Sequence, residues 1–315
     1  MAASPNITFD PSTGASPTST VVTIGVFDGV HIGHRALIGA AVAEAQERGL
    51  RSLALTFSPH PREVLAKGES LQYLSSVQER RALIHGIGAD VVATLHFTRE
   101  VAGLSAEEFM ASLAQQTGAV SLWVGPDFAL GRGRQGSVPV LREIGKRLGV
   151  TVQTVAPVRF DSTVVSSSAI RYLLLEGFIT EANAMLGRAY DLEGTVEEGD
   201  KRGRVLGFPT ANMALMPSRV VPANGVYLVR AHLARQALPG VANLGTRPSF
   251  GDHRPNLEVH LLDFAGDLYG RHLRVEFLER LRPEMRFTDV QELVAQMSRD
   301  VDAARAHFGL SGARE

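Results

Sequence analysis

Cysteine is absent from the 315 residues of this chain. Disulfide bonds, thiolate metal sites and cysteine nucleophiles are therefore excluded. A strong net charge is also lacking, because 32 Lys and Arg residues balance 33 Asp and Glu residues and the isoelectric point is near 6.8. A chain so close to neutral is not expected to act mainly by binding a nucleic-acid backbone or an anionic membrane. The composition therefore favours chemistry on small molecules.

Long apolar runs are missing as well. The apolar run over residues 91–95 is far shorter than the roughly 20 residues that are needed to cross a bilayer. Residues 1–20 are rich in Ser, Thr, Pro and Ala, and they contain no cationic start followed by an apolar segment. We therefore expect a disordered tail there, not a secretion signal or a membrane anchor, and a cytoplasmic protein that does not contact membranes.

The pattern of residues 21–187 predicts an α/β domain. Short β-rich runs alternate with longer stretches of helical spacing, which is typical of a parallel sheet covered on both faces. The predicted strands are 21–27, 52–57, 90–95, 120–124 and 151–156, and the predicted helices are 35–48, 76–86, 105–116 and 138–148. Ligands of such sheets bind beyond the carboxyl ends of the strands.

A second domain is predicted over residues 188–315. Short strands punctuated by Gly and Pro, at 191–197, 225–234, 257–263 and 272–281, indicate a small antiparallel barrel. The last segment begins with a capping-box spacing from Thr288 to Gln291 and then predicts a helix that packs on the barrel. The apolar face of this helix is predicted to contain Val290, Leu293, Val294, Met297 and Val301.

Two histidines, His31 and His34, flank Gly33 where the first strand gives way to a helix. Unpaired N–H groups and the partial positive charge of a helix start favour phosphate, and two imidazoles add donors for phosphoryl oxygens. The string alone fits loop or core histidines equally well. Gly25, Gly29 and the strand–turn–helix order favour a triphosphate site for attack at an α-phosphate.

Two further stretches follow predicted strands. The run Ser166–Ser168 with Arg171 begins a helix and forms a second phosphate cradle, although ordinary N-capping explains the same serines. The glycine-rich loop over 125–136 carries Asp127 at its base and two arginines near its tip. Such a loop closes over a nucleotide or is only a solvated connection.

In the second domain, the run from Gly203 to Asn212 combines glycines with the hydroxyl of Thr210 and the amide of Asn212, which suit phosphate and a hard cation. The P-loop lysine is missing, so a different scaffold is required. Strand alternation puts Glu258 and His260 on one face. Glu258 then accepts a hydroxyl proton as a base, or is simply a solvated outward residue.

These stretches together resemble the bifunctional bacterial riboflavin kinase/FMN adenylyltransferase family over residues 21–310. The stretches that carry the resemblance are Gly25–His34, Ser166–Arg171, Gly207–Asn212, Gly225–Tyr227, Gly245–Phe250 and Glu258. The resemblance implies a Rossmann-like nucleotidyltransferase domain that joins FMN to the AMP part of ATP. It also implies a six-stranded riboflavin kinase barrel with a C-terminal helix, and the use of Mg²⁺ by both.

The resemblance also implies roles for individual residues. His31, His34 and Glu258 are expected to be catalytic, and Thr210 and Asn212 to be the ligands of the kinase metal. Expected nucleotide-binding residues of the first domain are Gly25, Phe27, Asp28, Gly29, Gly33, Asp127, Ser167, Ser168 and Arg171. Expected ATP- or flavin-binding residues of the second are Gly203, Gly207, Phe208, Pro209, Thr210 and Asn212. Ser58, Val164 and Asn224 depart from the family pattern.

Two other interpretations stay open. Class I aminoacyl-tRNA synthetases share the spelling of residues 31–34, but their second signature loop and a basic RNA-binding surface are not apparent. A flavin-binding or flavin-sensing protein that lacks turnover is expected to have lost His31, His34, Thr210 or Glu258, and all four are present. We therefore predict a monomeric enzyme that makes FMN and then FAD, with riboflavin and ATP as its substrates.

Overall fold

The structure is a computed structural model that describes residues 7–8, 19–66, 71–199, 203, 206–246 and 255–310. Contacts between residues divide the chain into two compact units, residues 1–167 and residues 168–315. In this division residues 168–187, which were expected to end the first domain, group with the second unit. The boundary expected between residues 187 and 188 stays a prediction.

The first unit alternates strands and helices. Its strands are β1 (Ile7–Thr8), β2 (Thr20–Ile24), β3 (Arg51–Ser58), β4 (Val91–His96), β5 (Ala119–Val124), β6 (Ala129–Leu130), β7 (Gly136–Ser137), β8 (Thr151–Thr154), β9 (Arg159–Phe160) and β10 (Thr163–Val164). Its helices are α1 (Ile32–Glu47), α2 (Pro61–Leu65), α3 (Val77–His85), α4 (Arg99–Gly103), α5 (Ala106–Thr117) and α6 (Val138–Leu148). The five predicted strands and four predicted helices are confirmed, with ends that differ by a few residues.

The main sheet has the order β1-β4-β3-β2-β5-β8. Every pair from β4 to β8 is parallel, whereas β1 pairs antiparallel with β4. The expected disordered tail over residues 1–20 is therefore wrong at Ile7–Thr8, which use the open hydrogen-bonding edge of β4, and at Thr20, which begins β2. The other tail residues up to 18 lie outside the described residues.

Alternating strand residues build a core on each face of this sheet, as predicted. Leu53 and Leu55 pack on one face with Phe109 of α5, while Ala54 packs on the other with Ile38 of α1. Burial of a leucine side chain contributes roughly 1.5–3 kcal/mol. The sheet is therefore held from both sides, and the turns at its carboxyl edge stand on a rigid base.

The second unit contains a closed antiparallel barrel. It comprises α7 (Ser167–Glu176), whose first residue belongs to the first unit, α8 (Ile179–Leu186), β11 (Tyr190–Glu197), β12 (Ala211–Leu215), β13 (Gly225–Leu233), β14 (Gln236–Thr246), β15 (Pro255–Leu261), β16 (His272–Arg282) and α9 (Val290–His307). The barrel order is β11-β12-β15-β14-β13-β16. The six-stranded barrel is confirmed, and β12 and β14 are strands that the pattern did not predict.

The C-terminal helix α9 packs on the barrel as predicted, but its start differs. Asp289, not Thr288, is the N-cap, because the Asp289 carboxylate accepts the Glu292 N–H at 2.8 Å. Val301 is buried against barrel residues, whereas Val290 is 60% exposed and does not belong to the buried face. The predicted face is thus correct in its later turns and wrong at its first residue.

Candidate active sites

The two histidine rings of the first unit stack at the start of α1. His31 is the N-cap of α1, and its Nδ1 accepts the N–H of His34 at 3.2 Å. The two ring centroids are 3.5 Å apart with planes inclined by 17°. Since Nδ1 of His31 accepts this hydrogen bond, a neutral His31 carries its proton on Nε2. This capping hydrogen bond therefore fixes both the tautomer and the orientation of the His31 ring.

The ring of His34 is held on its other side by Phe27, whose ring lies edge-on at 5.3 Å. Phe27 and Val30 adopt positive φ angles of 53° and 42° in this turn. Such angles are uncommon outside glycine and concentrate at functional sites. Gly33 lies beside the His31 ring, and Gly25 lies beside the Phe27 ring. The predicted motif thus forms one tightly packed turn.

Asp28 anchors this turn to a distant segment. Its carboxylate accepts the N–H groups of Leu74 and Ser75 at 3.1 Å, and Gly29 donates its N–H to the Ser75 hydroxyl at 2.9 Å. The Arg80 guanidinium lies 3.8 Å from the Asp28 carboxylate, and each side chain is only 1% exposed. The side chain of Asp28 is therefore directed into the protein. Its partner Arg80 was not among the residues that the sequence pattern indicated.

Burial of its ring lowers the pKa of His34 well below the usual 6.5, and the nearby His31 and Arg80 lower that pKa further. The Nδ1 atom of His34 is inaccessible to solvent and has no hydrogen-bond partner among the described residues. Desolvation disfavours the charged imidazolium at such a position. His34 is therefore a neutral imidazole at neutral pH.

This lowered pKa predicts a dependence of stability on pH. Below pH 6.5 His34 is protonated in the unfolded chain but not in the folded chain. The free energy of unfolding therefore decreases as the pH is lowered, by up to about 1.4 kcal/mol per pH unit. The contribution is complete above pH 6.5 and is lost as the pH falls towards the folded pKa. Replacement His34→Gln should flatten this slope in unfolding experiments across that range. An equal slope in both proteins contradicts the assignment.

The second predicted phosphate motif meets the first at Ser167. The Ser167 hydroxyl donates to the Asp28 carbonyl at 2.9 Å, which joins the start of α7 to the histidine turn. Val165 O also approaches Gly33, at 3.9 Å from an ideal Cβ there. Ser168 and Arg171 lie further along α7, in the second unit. Their roles in nucleotide binding stay predictions.

A cavity of about 780 Å³ opens in the first unit where β2 ends. Its aromatic lining is formed by Phe57, Phe97, Phe109 and Phe128, and its polar lining includes Asp127 and Arg134. Gly25 and Val26 also line it and connect it to the histidine turn, although neither histidine is itself a lining residue. The sequence pattern did not single out these four phenylalanines, because buried aromatic residues are typical of any core.

His60 lies on the rim of this cavity and caps α2. Its Nδ1 accepts the N–H of Arg62 at 3.0 Å, and its own N–H donates to the Tyr73 hydroxyl at 3.1 Å. The Tyr73 hydroxyl donates in turn to Glu63 at 2.6 Å. Burial and the neighbouring Glu63 raise the pKa of Tyr73 to about 12, so this hydroxyl keeps its proton. The rim is thus fixed by a chain of hydrogen bonds.

The glycine-rich loop supports the cavity through Gly131. Gly131 has φ 78°, and a Cβ there would lie 2.5 Å from the Ala106 nitrogen, whereas Gly133 has φ 62° and open space around it. Gly131→Ala should therefore lower the unfolding free energy by clearly more than the roughly 1–2 kcal/mol of a left-handed alanine. Gly133→Ala is the matched control and should show only that backbone cost. Denaturant unfolding of both variants tests this difference, and equal losses contradict it.

In the second unit, Glu258 lies on the outer face of β15. Leu257, Val259 and Leu261 point into the barrel and are at most 6% exposed, whereas Glu258 and His260 are half-buried on the opposite face. This confirms the predicted alternation. Glu258 pairs in register with Asn212 of β12. Cross-strand neighbours share a face of the sheet, so Glu258 and Asn212 face the same side, and Thr210 directly precedes β12.

Two cavities meet at Thr210. One, of about 370 Å³, is lined by Glu258, Asn243 and His260 together with apolar residues such as Val226 and Val241. The other, of about 680 Å³, is lined by Asn212, Pro209 and the segment 264–269. Thr210 lines both cavities, with Glu258 in the first and Asn212 in the second. The hydroxyl-bearing Thr210 is therefore common to the linings of the two cavities.

The other predicted residues of this unit surround the same turn. Gly203 accepts the Phe208 N–H at 2.8 Å and lies 3.3 Å, measured from an ideal Cβ, from the Thr210 hydroxyl. Phe208 is buried and lines the smaller cavity, while Gly207 itself has a left-handed backbone conformation with φ 87°. Residues 204–205 and 247–250, which belong to two of the predicted motifs, lie outside the described residues.

The wall of the smaller cavity contains a buried ion pair that the sequence analysis missed. Arg282 at the end of β16 donates to both oxygens of Asp300 on α9, at distances of 2.8–3.1 Å. Gln296 adds a hydrogen bond to Asp300 at 2.9 Å. A bidentate Arg–carboxylate pair fixes geometry as well as charge. The pair therefore fastens α9 to the barrel beside Glu258.

The polar groups at the Thr210 turn are oxygen donors. A hydroxyl, an amide oxygen and a nearby carboxylate match the preference of Mg²⁺ for hard ligands, which it completes with water and substrate phosphates. Over the described residues no cluster of three or more His, Asp or Glu side chains is placed to hold a metal ion. The donor set at Thr210 and Asn212 thus fits a cation that is brought in with a nucleotide, not an all-protein cage.

The two units define a class of protein: a two-module transferase, with a nucleotide-binding parallel sheet in one unit and a kinase-like barrel in the other. Family models match both units. The model described as "FAD synthetase" covers residues 14–169, and the model described as "Riboflavin kinase" covers residues 186–308. The chain belongs to the family of bifunctional riboflavin kinase/FMN adenylyltransferases, as its relatives show.

Curated relatives with that name align with this chain over nearly their whole length. The protein of Escherichia coli (strain K12) is 40% identical over 293 residues, which are 92% of this chain and 93% of that protein. The protein of Pseudomonas fluorescens is 42% identical over 288 residues, covering 91% and 92%. The protein of Bacillus subtilis (strain 168) is 34% identical over 294 residues and covers 92% of each chain.

A solved structure shows the same fold. The crystal structure described as a macrolide-efflux protein from Streptococcus pneumoniae matches with a TM-score of 0.87 at 31% identity, covering 92% of this chain and 95% of that one. Its description names efflux, which neither the family models nor the curated relatives carry. Among the residues that the structure describes, no helix combines the length and apolarity needed to cross a bilayer.

Proposed function

We propose that this chain phosphorylates riboflavin to FMN in its second unit and joins FMN to AMP in its first unit, with ATP as the donor in both steps. The observation that carries this proposal is that two family models match the chain, "FAD synthetase" over residues 14–169 and "Riboflavin kinase" over residues 186–308. Mg²⁺ is the proposed companion of ATP, because the donors at the Thr210 turn are hard oxygens.

In the kinase step, Glu258 is the proposed general base. The Glu258 carboxylate takes the proton of the riboflavin 5′-hydroxyl, the hydroxyl oxygen forms a bond to the γ-phosphorus of ATP, and the bond to the β-phosphate oxygen breaks to leave ADP. Thr210 and Asn212 would hold Mg²⁺, which neutralises phosphate charge when it is bound. The smaller cavity suits the apolar flavin, and the larger cavity suits the nucleotide.

In the adenylyl step, an oxygen of the FMN phosphate bonds to the α-phosphorus of ATP and pyrophosphate leaves. The start of α1 and the Nε2 proton of His31 would stabilise the negative charge that develops on the phosphoryl oxygens. The neutral ring of His34 stacks on the His31 ring, so the Nε2 donor of His31 is held in place before the reaction. No covalent enzyme intermediate is required, because positioning and charge stabilisation suffice.

Asp28 has a positioning role in this proposal. Its carboxylate is occupied by the backbone of residues 74–75 and faces the buried Arg80. It therefore acts on the nucleotide through the shape of the turn, while N–H groups at the start of α1, such as that of Gly33, would face the phosphates. Asp127 and Arg134, which line the large cavity, are proposed contacts of the bound substrates.

Incubation of the purified protein with riboflavin, ATP and Mg²⁺, followed by chromatographic separation of the flavins, tests the proposal. FMN should appear first and FAD should follow with release of pyrophosphate. Formation of neither product rejects the proposal, and formation of FMN alone restricts it to the second unit. Supplying FMN in place of riboflavin tests the first unit by itself.

Three further expectations accompany this proposal. We propose that the protein resides in the cytoplasm, acts as a monomer and requires no nucleic acid. The near-neutral composition supports the last of these, since a nucleic-acid-binding surface is usually basic. Sedimentation of the protein with and without flavin and ATP measures the oligomeric state, and a stable dimer contradicts the second expectation.

A further inference from the structure

The face of β15 that carries Glu258 also carries Asn256 and His260. These three residues are spaced by two along the strand, and each is half-buried, while the residues between them fill the barrel. Strand geometry puts such residues side by side on one face. The strand therefore presents an amide, a carboxylate and an imidazole in a row next to the two cavities.

Asn256 holds one oxygen of the Glu258 carboxylate. The Asn256 Nδ2 atom donates to Glu258 Oε1 at 2.7 Å. A carboxylate only accepts hydrogen bonds, so the amide nitrogen is the group that faces it. This charge-assisted bond fixes the rotation of the carboxyl group and leaves Oε2 to accept a substrate proton. Among the described residues, the Glu258 carboxylate accepts no other hydrogen bond.

His260 fastens the neighbouring turn. Its Nδ1 lies 2.8 Å from the Pro209 carbonyl, and its ring meets the Phe208 ring edge-on at 5.7 Å. Because a carbonyl only accepts, Nδ1 of His260 carries the proton in this bond. The bond joins β15 to the residue that precedes Thr210. The position of Thr210 relative to Glu258 is thereby set by a direct link as well as by the pairing of β12 with β15.

We propose that Asn256 and His260 are positioning residues of the kinase site. Asn256 aims the Glu258 carboxylate at the substrate hydroxyl, and His260 holds the Phe208–Thr210 turn at the correct distance from that carboxylate. This inference rests on the proposed roles of Glu258 as base and of Thr210 at the phosphates. Neither positioning residue is itself assigned a bond to the reacting atoms.

Asn256→Asp tests the first part, since aspartate has nearly the same shape but an ionised side chain cannot donate to Glu258. We expect kcat for riboflavin phosphorylation to fall about 10- to 100-fold while KM for riboflavin changes less than about twofold. Asn256→Gln retains the amide and should keep more of the rate than the aspartate variant. Formation of FAD from supplied FMN is the internal control and should be unchanged.

A double-mutant cycle separates positioning from a general structural effect. In a Glu258→Gln background, Asn256→Asp should cause almost no further loss, because the carboxylate that Asn256 orients is gone. An additive loss overturns the proposal. An unchanged rate for Asn256→Asp alone also overturns it, provided that Glu258→Gln is inactive. If Glu258→Gln keeps full kinase activity, it is the role of Glu258 that fails. Should Asn256→Asp not fold, Asn256→Ala, which also removes the donor, is carried through the same cycle.

His260→Leu removes the bond to Pro209, whereas His260→Asn places an amide nitrogen close to the former Nδ1. The leucine variant should weaken ADP binding in the presence of Mg²⁺ by about 10- to 100-fold in calorimetric titrations, and the asparagine variant should restore most of the affinity. His272→Leu on β16 lines neither cavity and is the matched control. Equal ADP affinity in the leucine variant and the parent protein overturns this part.

Discussion

Replacement of Glu258 by glutamine is expected to lower the rate of riboflavin phosphorylation by a factor of about 10² to 10⁴, the usual contribution of a general base. Glutamine keeps the size of the side chain and its ability to accept the Asn256 hydrogen bond, but its amide is not a base at neutral pH. The rate of FMN formation, followed by chromatography under saturating riboflavin and ATP, measures this loss.

The same variant should still convert supplied FMN to FAD at the parent rate. The reason is that Glu258 belongs to the barrel of the second unit, whereas the histidine turn belongs to the first. A folded Glu258→Gln protein that loses both activities shows that the two sites are not independent. A variant that keeps full kinase activity shows that another group accepts the proton.

His31→Asn should have the opposite effect. The rate of FAD formation should fall about 10²- to 10³-fold, the usual loss when one preorganised donor to a developing oxyanion is removed. Asparagine is chosen because it is among the best N-cap residues, so the start of α1 keeps its capping hydrogen bond. The loss then reports the missing Nε2 proton and not a frayed helix.

Two controls make this test of His31 specific. Riboflavin phosphorylation should be unchanged, since the second unit is untouched. The thermal transition of His31→Asn should lie close to that of the parent, whereas His31→Ala should also lose the cap, at a cost of about 1 kcal/mol. If His31→Asn forms FAD at the parent rate, the imidazole is only a cap and the proposed chemistry at this turn is wrong.

Much of the first unit follows from local sequence patterns. The alternation of apolar strands and helices predicts β2 to β5, β8 and four of the helices, because both faces of the sheet are buried and each element repeats its own period. The short helices α2 and α4 were not predicted, since five residues are too few to show a helical period. They form because tertiary packing stabilises single turns that propensity alone does not.

The barrel was less predictable from its strands. β14 contains Pro239, Gly240 and Gly245, residues that disfavour a strand in isolation. It is nevertheless a strand because β13 and β15 pair with it on both sides. β12 was not predicted as a strand because its first two residues also belong to the phosphate motif that ends at Asn212.

The candidate sites show the same division between local and distant information. The stacking of His31 and His34 and the hydrogen bond from Asn256 to Glu258 join residues two or three positions apart, so the local pattern contains them. The burial of Arg80 against Asp28 was not predictable in this way. A charged residue on a helix usually faces solvent, and only the folded chain shows that this one does not.

The central claim is that riboflavin phosphorylation and FAD formation take place at two separate sites, one around Glu258 and the other around His31. Mixing the Glu258→Gln protein with the His31→Asn protein tests it most directly, with riboflavin, ATP and Mg²⁺ supplied and FMN and FAD measured over time. The account predicts that the mixture makes FAD after a lag, because the histidine variant releases FMN that the glutamine variant then adenylylates. A mixture of the two folded proteins that accumulates FMN but forms no FAD contradicts the account, because the glutamine variant has then lost the adenylyl step as well.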